Sequence, residues 1–357
     1  MKAAILSGQP APAMKAVVLQ RPTPGHSIRL SEVPLPKVRP GWVLIKVKAF
    51  GMNHSEKILR LSEINAAYIQ KPVIPGIECV GEVADPSGSG LKPGQRVAAL
   101  MGGMGRSFNG SYAQYVLAPA SHVFSIKSNL LWEKLAAIPE TYFTAWGSLF
   151  QGLKLQPDDT LLIRGATCAL GHAAIQIAKA LGCKVIATTH RESKLQLLSQ
   201  ADLALLGTGS LENIFSGEIA GAVQTGRTSQ ISVAAQTDGT AIPRPSKALE
   251  LVGLKTLADT LRCVGKGGLV CTTGILGGVY AINVFDPIKY IPNGVYLTGF
   301  YSNSPSQDTM DEIFCFMNAK RLTPPVGKVF DFSEIQKACI AQDNGGIDGK
   351  IIVRVSD

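Results

Sequence analysis

The stretch Leu161–Lys194, LLIRGATCALGHAAIQIAKALGCKVIATTHRESK, constrains the fold of this chain more than any other segment. Its apolar run Leu161-Leu162-Ile163 is short enough for a buried parallel strand. A turn punctuated by glycine, Gly165 to Gly171, follows without proline. Ala174, Ile177, Ala178 and Leu181 then recur at helical spacing until Gly182 supplies a stop. A second strand, Val185-Ile186-Ala187-Thr188, comes next. Strand, tight turn, helix and strand within roughly 30 residues form the βαβ unit whose helix N-terminus receives a pyrophosphate. The expected cradle is Gly165, Cys168, Ala169, Leu170 and Gly171. It departs from a strict G-x-G-x-x-G, because Cys168 stands at the middle position and is bulkier than glycine. A packing turn without a ligand is the other reading of these glycines, and the flanking strands and helix favour the first.

The end of the second strand indicates which dinucleotide is held. An enzyme that binds NAD places Asp or Glu about 20 residues after the glycines, where the carboxylate holds the ribose 2′-hydroxyl. Here that place is taken by Thr188-Thr189-His190-Arg191, with Lys194 beyond it and Glu192 opening the next helix. The missing acid, with Arg191 and Lys194 in its neighbourhood, favours a 2′-phosphate, and so NADP(H). Thr189, Arg191 and Lys194 are therefore expected to contact the cofactor, although the two cations alone also fit a solvated helix face.

Bulk properties limit what else the chain can be. It has 357 residues, 46% hydrophobic and 17% charged, which suits two globular domains rather than a disordered chain. No apolar run approaches the roughly 20 residues needed to span a bilayer. Ala3-Ala4-Ile5-Leu6 is too short for a secretory signal, so a cytoplasmic protein is expected. The net charge of +9 is dispersed, with no dense basic run and no aromatic interleaving, and nucleic acid is not expected as a partner. The seven cysteines are scattered without a C-x-x-C pair, which signals neither a disulfide framework nor a zinc ribbon.

Residues 1–13, with Pro10 and Pro12, read as a loose N-terminal extension. From Met14 to about Tyr115, short β-type runs with Pro/Gly punctuation suggest a partly open barrel. From about Leu130 helices and strands alternate, and the tail ends in a strand at Lys350–Val355. The expected architecture is α/β: a barrel domain of residues 14–135 and 299–357, and a doubly wound parallel-sheet domain of residues 136–298. Within the latter, 217–246 is rich in Gly, Thr, Ser and Gln, and reads as a long surface loop.

With these pieces the chain resembles the medium-chain dehydrogenase/reductase superfamily, in its zinc-independent, quinone oxidoreductase-like branch. The segments that carry the resemblance are PGWVLIKVKAFGMNHSE (Pro40–Glu56), PGIECVGEV (Pro75–Val83), LKPGQRVAAL (Leu91–Leu100), NGSYAQY (Asn109–Tyr115), TAWGSLF (Thr144–Phe150), the nucleotide unit and DGKIIVRV (Asp348–Val355). The resemblance implies a GroES-like barrel plus a Rossmann domain, and a homodimer paired through nucleotide-domain edge strands. Zinc-using relatives carry Cys in G-x-C-H-S-D and His in G-H-E. The corresponding residues here are Asn53 and Ile77, so no metal is expected.

Residue roles implied by the resemblance follow position by position. Asn53 falls near the nicotinamide ribose and the substrate, or is a turn-forming Asn after a strand. Thr144 falls beside the nicotinamide, or caps an apolar helix. Gly274, Ile275 and Leu276 belong to a loop passing the nicotinamide, and Tyr301 with Asn303 to the closure of the cofactor cleft. Lys350 either approaches a cofactor phosphate or is a polar strand-edge residue. Asn53 and Tyr301 are the catalytic candidates, while Tyr68, Tyr112 and Tyr142 are alternative proton donors that no motif separates. Without a Lewis acid, the chemistry implied is hydride transfer from NADPH to an activated double bond of a small molecule: an enone, an enoyl group or a quinone. A non-redox step such as cyclisation, or a binding protein that retains the fold, are the competing readings.

Overall fold

The computed structural model describes residues 12–215 and 242–356. Most of the expected N-terminal extension and of the expected loop 217–246 lie outside the described residues. The chain divides into two compact units. One holds the described residues up to Ala136, with Val329–Gly346 and Ile351 onward; the other holds those within Ala137–Lys328, with Ile347–Lys350. No described helix is long and apolar enough to cross a membrane.

The first unit is built from antiparallel strands. Strands β1 (Ala13–Val17) and β2 (Leu30–Pro34) form a hairpin-like pair. Strands β3 (Trp42–Met52), β4 (Glu78–Asp85), β5 (Arg96–Leu100), β6 (Tyr115–Pro119) and β7 (Val123–Ser125) form most of a seven-stranded sheet. Val43, Ile45 and Val47 on β3 are buried, as their alternation predicts. The register between β3 and β4 shifts twice. At Gly81 the strands come so close that a Cβ would collide with the carbonyl oxygen of Lys46. Helices α1 (His54–Leu61) and α2 (Trp132–Leu135) complete this part of the chain.

The second unit is a doubly wound sheet. Its elements in order are helix α3 (Pro139–Trp146), strand β8 (Thr160–Arg164), helix α4 (Ala169–Leu181), strands β9 (Lys184–Thr189) and β10 (Leu203–Leu206), and helix α5 (Glu212–Phe215). Strand β11 (Lys247–Glu250), helix α6 (Leu257–Cys263), strand β12 (Leu269–Thr272), helix α7 (Pro287–Tyr290), strand β13 (Tyr296–Gly299) and helix α8 (Gln307–Ala319) follow. The order β10-β9-β8-β11-β12-β13, with every pair parallel, reverses direction between β8 and β11. Such a reversal opens a crevice at the carboxyl ends of the strands, where ligands bind in open α/β sheets. The chain then returns to the first unit's sheet through β14 (Val326–Asp331), helix α9 (Ile335–Asn344) and β15 (Lys350–Arg354), which pairs with β3. In that unit Arg60 of α1, fully buried, pairs with Asp343 of α9 at 2.7 Å.

Both faces of the parallel sheet are buried. Leu162, Ile186, Leu205, Ala248 and Val270 pack with Leu257 and Leu261 of α6 and Phe215 of α5. The alternate residues Leu161, Ile163, Val185 and Ala187, also buried, face the other side, where α4 packs on β8 and β9. Residues 300–319 stay with this unit rather than with the barrel. Phe300 meets Phe143 at 5.7 Å, and Phe316 of α8 meets Trp146 at 5.3 Å, so rings from both ends of the segment are anchored on α3.

One ion pair ties the sheet to its helices. Arg164, at the carboxyl end of β8 and only 3% exposed, pairs with Asp259 of α6. Asp259 also accepts the Ser210 hydroxyl and the amides of Leu211 at 3.0 Å and Glu212 at 3.3 Å. Burial pushes its carboxyl upward, but these donors and the guanidinium outweigh burial and hold it below the ordinary carboxylate range. Replacing Asp259 by Ala leaves a buried guanidinium without its anion, and should cost about 3–5 kcal/mol in urea unfolding. Because the folded value is depressed, the contribution is complete above the unfolded value of about 3.9 and is lost as pH falls through the folded value. The stability gap between wild type and D259N should therefore hold at neutral pH and close below about pH 4. A gap that persists in acid would contradict this assignment.

Candidate cofactor site and active-site residues

The carboxyl ends of β8, β11 and β12 carry three loops, the first hydrogen-bonded to the end of β9 and the other two to one another. After β8 the backbone turns at Gly165, whose φ of 78° favours glycine. Its amide donates to Thr188 Oγ1 at 3.2 Å, and the Ala166 amide donates to the Thr188 carbonyl at 2.8 Å. Cys168 then caps α4, its thiol accepting the Gly171 amide at 3.3 Å. At Gly171 a Cβ would collide with the carbonyl oxygen of Ala166, so only glycine lets the first turn of α4 lie against the loop. Burial pushes the Cys168 thiol up, opposed by the amides of Gly171 and Leu170. A helix N-terminus approached this closely by a glycine turn fits the pyrophosphate of a dinucleotide. Gly165, Cys168, Ala169, Leu170 and Gly171 are brought together as the spacing predicts.

The second loop is organised by Glu250, the last residue of β11 and fully buried. Its carboxylate accepts the amides of Val252 at 2.7 Å and Gly253 at 2.9 Å, and the hydroxyls of Thr256 at 3.0 Å and Thr260 at 2.5 Å. Burial raises its carboxyl, although these donors work in the opposite direction. The third loop, Thr273–Gly278, is clamped onto the second: Gly274 N–H donates to Glu250 O at 3.1 Å, and Gly277 N–H to Val252 O at 2.8 Å. A Cβ at Gly274 would collide with the carbonyl oxygen of Leu251. Beyond it the side chains of Ile275 and Leu276 are exposed.

At the end of β9, Thr188 and Thr189 turn inward and are buried. Thr189 Oγ1 lies 3.3 Å from Thr167 Oγ1 and accepts the Arg191 amide at 3.3 Å. His190 and Arg191 are exposed and Lys194 is half-buried. No carboxylate occupies the final position of the strand.

Thr144 is buried inside α3, where its hydroxyl donates to Glu140 Oε1 at 2.9 Å, so it is not a helix cap. One turn later Ser148 donates to the Thr144 carbonyl at 2.7 Å and lies 2.9 Å from Thr273 Oγ1, which links α3 to the loop after β12. Sequence reasoning missed Ser148 and Thr273, although Ser148 lies inside the Thr144–Phe150 segment and Thr273 precedes Gly274. Lys350 is buried, with Nζ 2.8 Å from Thr141 Oγ1 and 3.7 Å from Glu140 Oε2. Tyr301 is exposed, and the Asn303 amide donates to its carbonyl at 2.9 Å.

In the barrel unit, Asn53 is the N-cap of α1. Its backbone amide donates to Glu56 Oε2 at 2.5 Å, and its carboxamide nitrogen lies 2.9 Å from Glu78 Oε1 and 3.3 Å from Glu56 Oε1. Both carboxylates are fully buried, and Glu56 also accepts the Ile77 amide at 3.1 Å. Tyr112 is fully buried and stacks on Phe50 at 4.6 Å, and burial holds its phenol well above the ordinary range. In the other unit, burial likewise raises Tyr142, which donates to Gln176 Oε1 at 2.6 Å. Tyr68 is exposed and donates to Glu63 at 2.9 Å. Among the described residues, no group of three or more His, Cys, Asp or Glu side chains could hold a metal ion.

Two family models match the chain in sequence order. The alcohol dehydrogenase GroES-like domain matches residues 39–128, and the zinc-binding dehydrogenase family matches residues 169–318. A zinc-type alcohol dehydrogenase-like protein of Schizosaccharomyces pombe is 27% identical over 351 residues, covering 91% of this chain and 93% of the relative. The human quinone oxidoreductase is 33% identical over 173 residues, so that match spans 47% of this chain and 49% of the human protein. In three dimensions the quinone oxidoreductase of Coxiella burnetii superposes with a TM-score of 0.75 at 20% identity, covering 97% of this chain and all of that one. With its GroES-like unit, its reversed parallel sheet and these relatives, the chain belongs to the medium-chain dehydrogenase/reductase superfamily of nicotinamide-dependent oxidoreductases, in its quinone oxidoreductase-like branch.

Proposed function

We propose that the protein is an NADP(H)-dependent, zinc-independent reductase of activated double bonds, with an enone, enoyl or quinone compound as substrate. The observation that carries the cofactor choice is the end of β9, where buried Thr189 is followed by exposed His190 and Arg191, with Lys194 close behind and no acid at the strand end. A guanidinium pairs with phosphate in a fork geometry, whereas the ribose hydroxyl of NAD calls for a carboxylate acceptor.

Bound NADPH supplies the hydride. The work left to this chain is binding and orientation. The N-terminus of α4, where the Cys168 thiol accepts the Gly171 amide, is the end that would receive the pyrophosphate, and Gly165 and Gly171 would allow its close approach. The loop at Gly274, Ile275 and Leu276, and Thr144, are assigned by the family resemblance to the nicotinamide side, and the same resemblance makes Asn53 and Tyr301 the catalytic candidates. Asn53 and Ile77 replace the thiolate and imidazole that zinc prefers, which favours a substrate whose own conjugation stabilises the developing enolate. The buried phenols of Tyr112 and Tyr142 are poor proton donors, so solvent is the simplest source of the final proton.

We also propose that two copies pair through β13. Among the described residues only β12 pairs with it, which leaves its outer edge open. Tyr296 on this strand is 61% exposed, and Val284 and Ile288 on the segment leading to it are 78% and 89% exposed. A second copy of the same surface would cover these groups and complete the edge. Sedimentation should give a dimer for wild type and a monomer for the V284D/I288D variant. A wild-type monomer at micromolar concentration would overturn the pairing.

The activity is tested by mixing the pure protein with NADPH and 1,2-naphthoquinone and following the nicotinamide absorbance. Consumption of NADPH well above that of NADH is expected. The R191A/K194A variant should lose about tenfold or more in kcat/KM for NADPH and little for NADH. Binding of NADPH without turnover of any quinone or enone would point to a non-redox role.

A further inference from the structure

Three basic residues follow β9, and a fourth on another loop is near enough for its charge to act on the first of them. His190 and Arg191 follow the strand, Lys194 lies on the next turn, and Lys255 comes from the loop after β11. Arg191 Nε donates to His190 Nε2 at 3.2 Å. That nitrogen must therefore be unprotonated, and the imidazole neutral with its proton on Nδ1. Burial first, then the charges of Arg191, Lys194 and Lys255, hold the ring below its ordinary value. These three cations are the charged groups that face the ring. Lys255 is set in place by the backbone, since Gly253 is held by Glu250, and the missing Cβ of Gly277 leaves room for the Lys255 side chain.

We infer that His190 and Lys255 belong to the 2′-phosphate site, and that His190 takes up one proton from solvent when the phosphate binds. This rests on the reading of Arg191 and Lys194 as phosphate ligands. In the free protein the neutral ring accepts the Arg191 N–H and holds the guanidinium to one side. A dianionic 2′-phosphate is an acceptor only, so a bare Nε2 lone pair facing it is unfavourable. Protonation turns that nitrogen into a donor and releases Arg191 Nε, so both groups can point at the phosphate. The dianion offsets the repulsion among four cations. Lys255, exposed, adds a point charge from a different loop.

The sign of the pH dependence follows. The free ring titrates below its ordinary value and the ring beside a phosphate titrates above it. NADP+ affinity therefore gains from His190 as pH falls through the window between those values. The 2′-phosphate, with its own ionisation near about pH 6, acts in the opposite direction, because bound cations favour its dianion. The contribution of His190 is thus the difference between wild type and H190Q, whose carboxamide oxygen still accepts from Arg191 but does not titrate.

Calorimetry with NADP+ and NAD+, in two buffers of different ionisation enthalpy, measures that difference. On binding NADP+, wild type should take up more protons than H190Q, and with NAD+ the two should agree. K255A should weaken NADP+ about tenfold and NAD+ less than about twofold. Equal proton uptake by wild type and H190Q, while NADP+ is still preferred over NAD+, would overturn the role of His190 and leave the phosphate reading standing. Unchanged NADP+ affinity in K255A would remove Lys255 from the site. Equal affinity of wild type for NADP+ and NAD+ would overturn the phosphate reading and this inference together.

Discussion

The buried carboxylate of Glu250 is the interaction on which the shape of the nucleotide site depends. It sits at the end of a central strand, out of water, with four donors turned toward it. An isolated carboxylate in that position would be costly, but one accepting four hydrogen bonds becomes an organising centre. It fixes the turn at Val252–Gly253, and the carbonyls of Leu251 and Val252 receive the amides of Leu276 and Gly277 from the loop after β12. A Cβ at Gly165 would press on the Val252 side chain, so the glycine turn after β8 is fitted to the same loop. Three strand ends are shaped together by one charge.

The distribution of acids over this sheet then has functional meaning. Glu250 and Asp259 both lie near the carboxyl ends of the strands, yet their oxygens are already occupied by protein donors. Neither is available to a ribose hydroxyl. The end of β9, by contrast, has buried threonines whose hydroxyls knit the strand to the glycine turn after β8, and then exposed bases. Structural acids inside and cations at the rim support the proposed phosphate reading.

The parts of this arrangement with a local signal were legible in the sequence. Leu161–Lys194 folds as the strand, helix and strand that its periodicity predicts, with Gly182 at a φ of 104° ending α4. The parts built from distant partners were not. Arg164 and Asp259 are 95 residues apart, and Glu250 looks in the sequence like any residue at a strand end. Thr144 reads as a residue beside the nicotinamide or as a helix cap, and the start of α3 at Pro139 removes the cap. Lys350 lies in a strand whose polar residue suggests an edge, but the chain folds it inward onto Thr141 and Glu140. The barrel was legible as a set of short punctuated strands, whereas the buried Glu56–Asn53–Glu78 cluster needs two segments brought together.

The central claim is that the bases after β9 recognise a phosphate on the adenosine ribose. Its most direct measurement compares adenosine 2′,5′-bisphosphate with 5′-AMP as ligands of the wild-type protein, since the two differ only in the 2′-phosphate. The bisphosphate should bind at least about tenfold more tightly, as expected for a charge-assisted contact. Equal affinity would contradict the account.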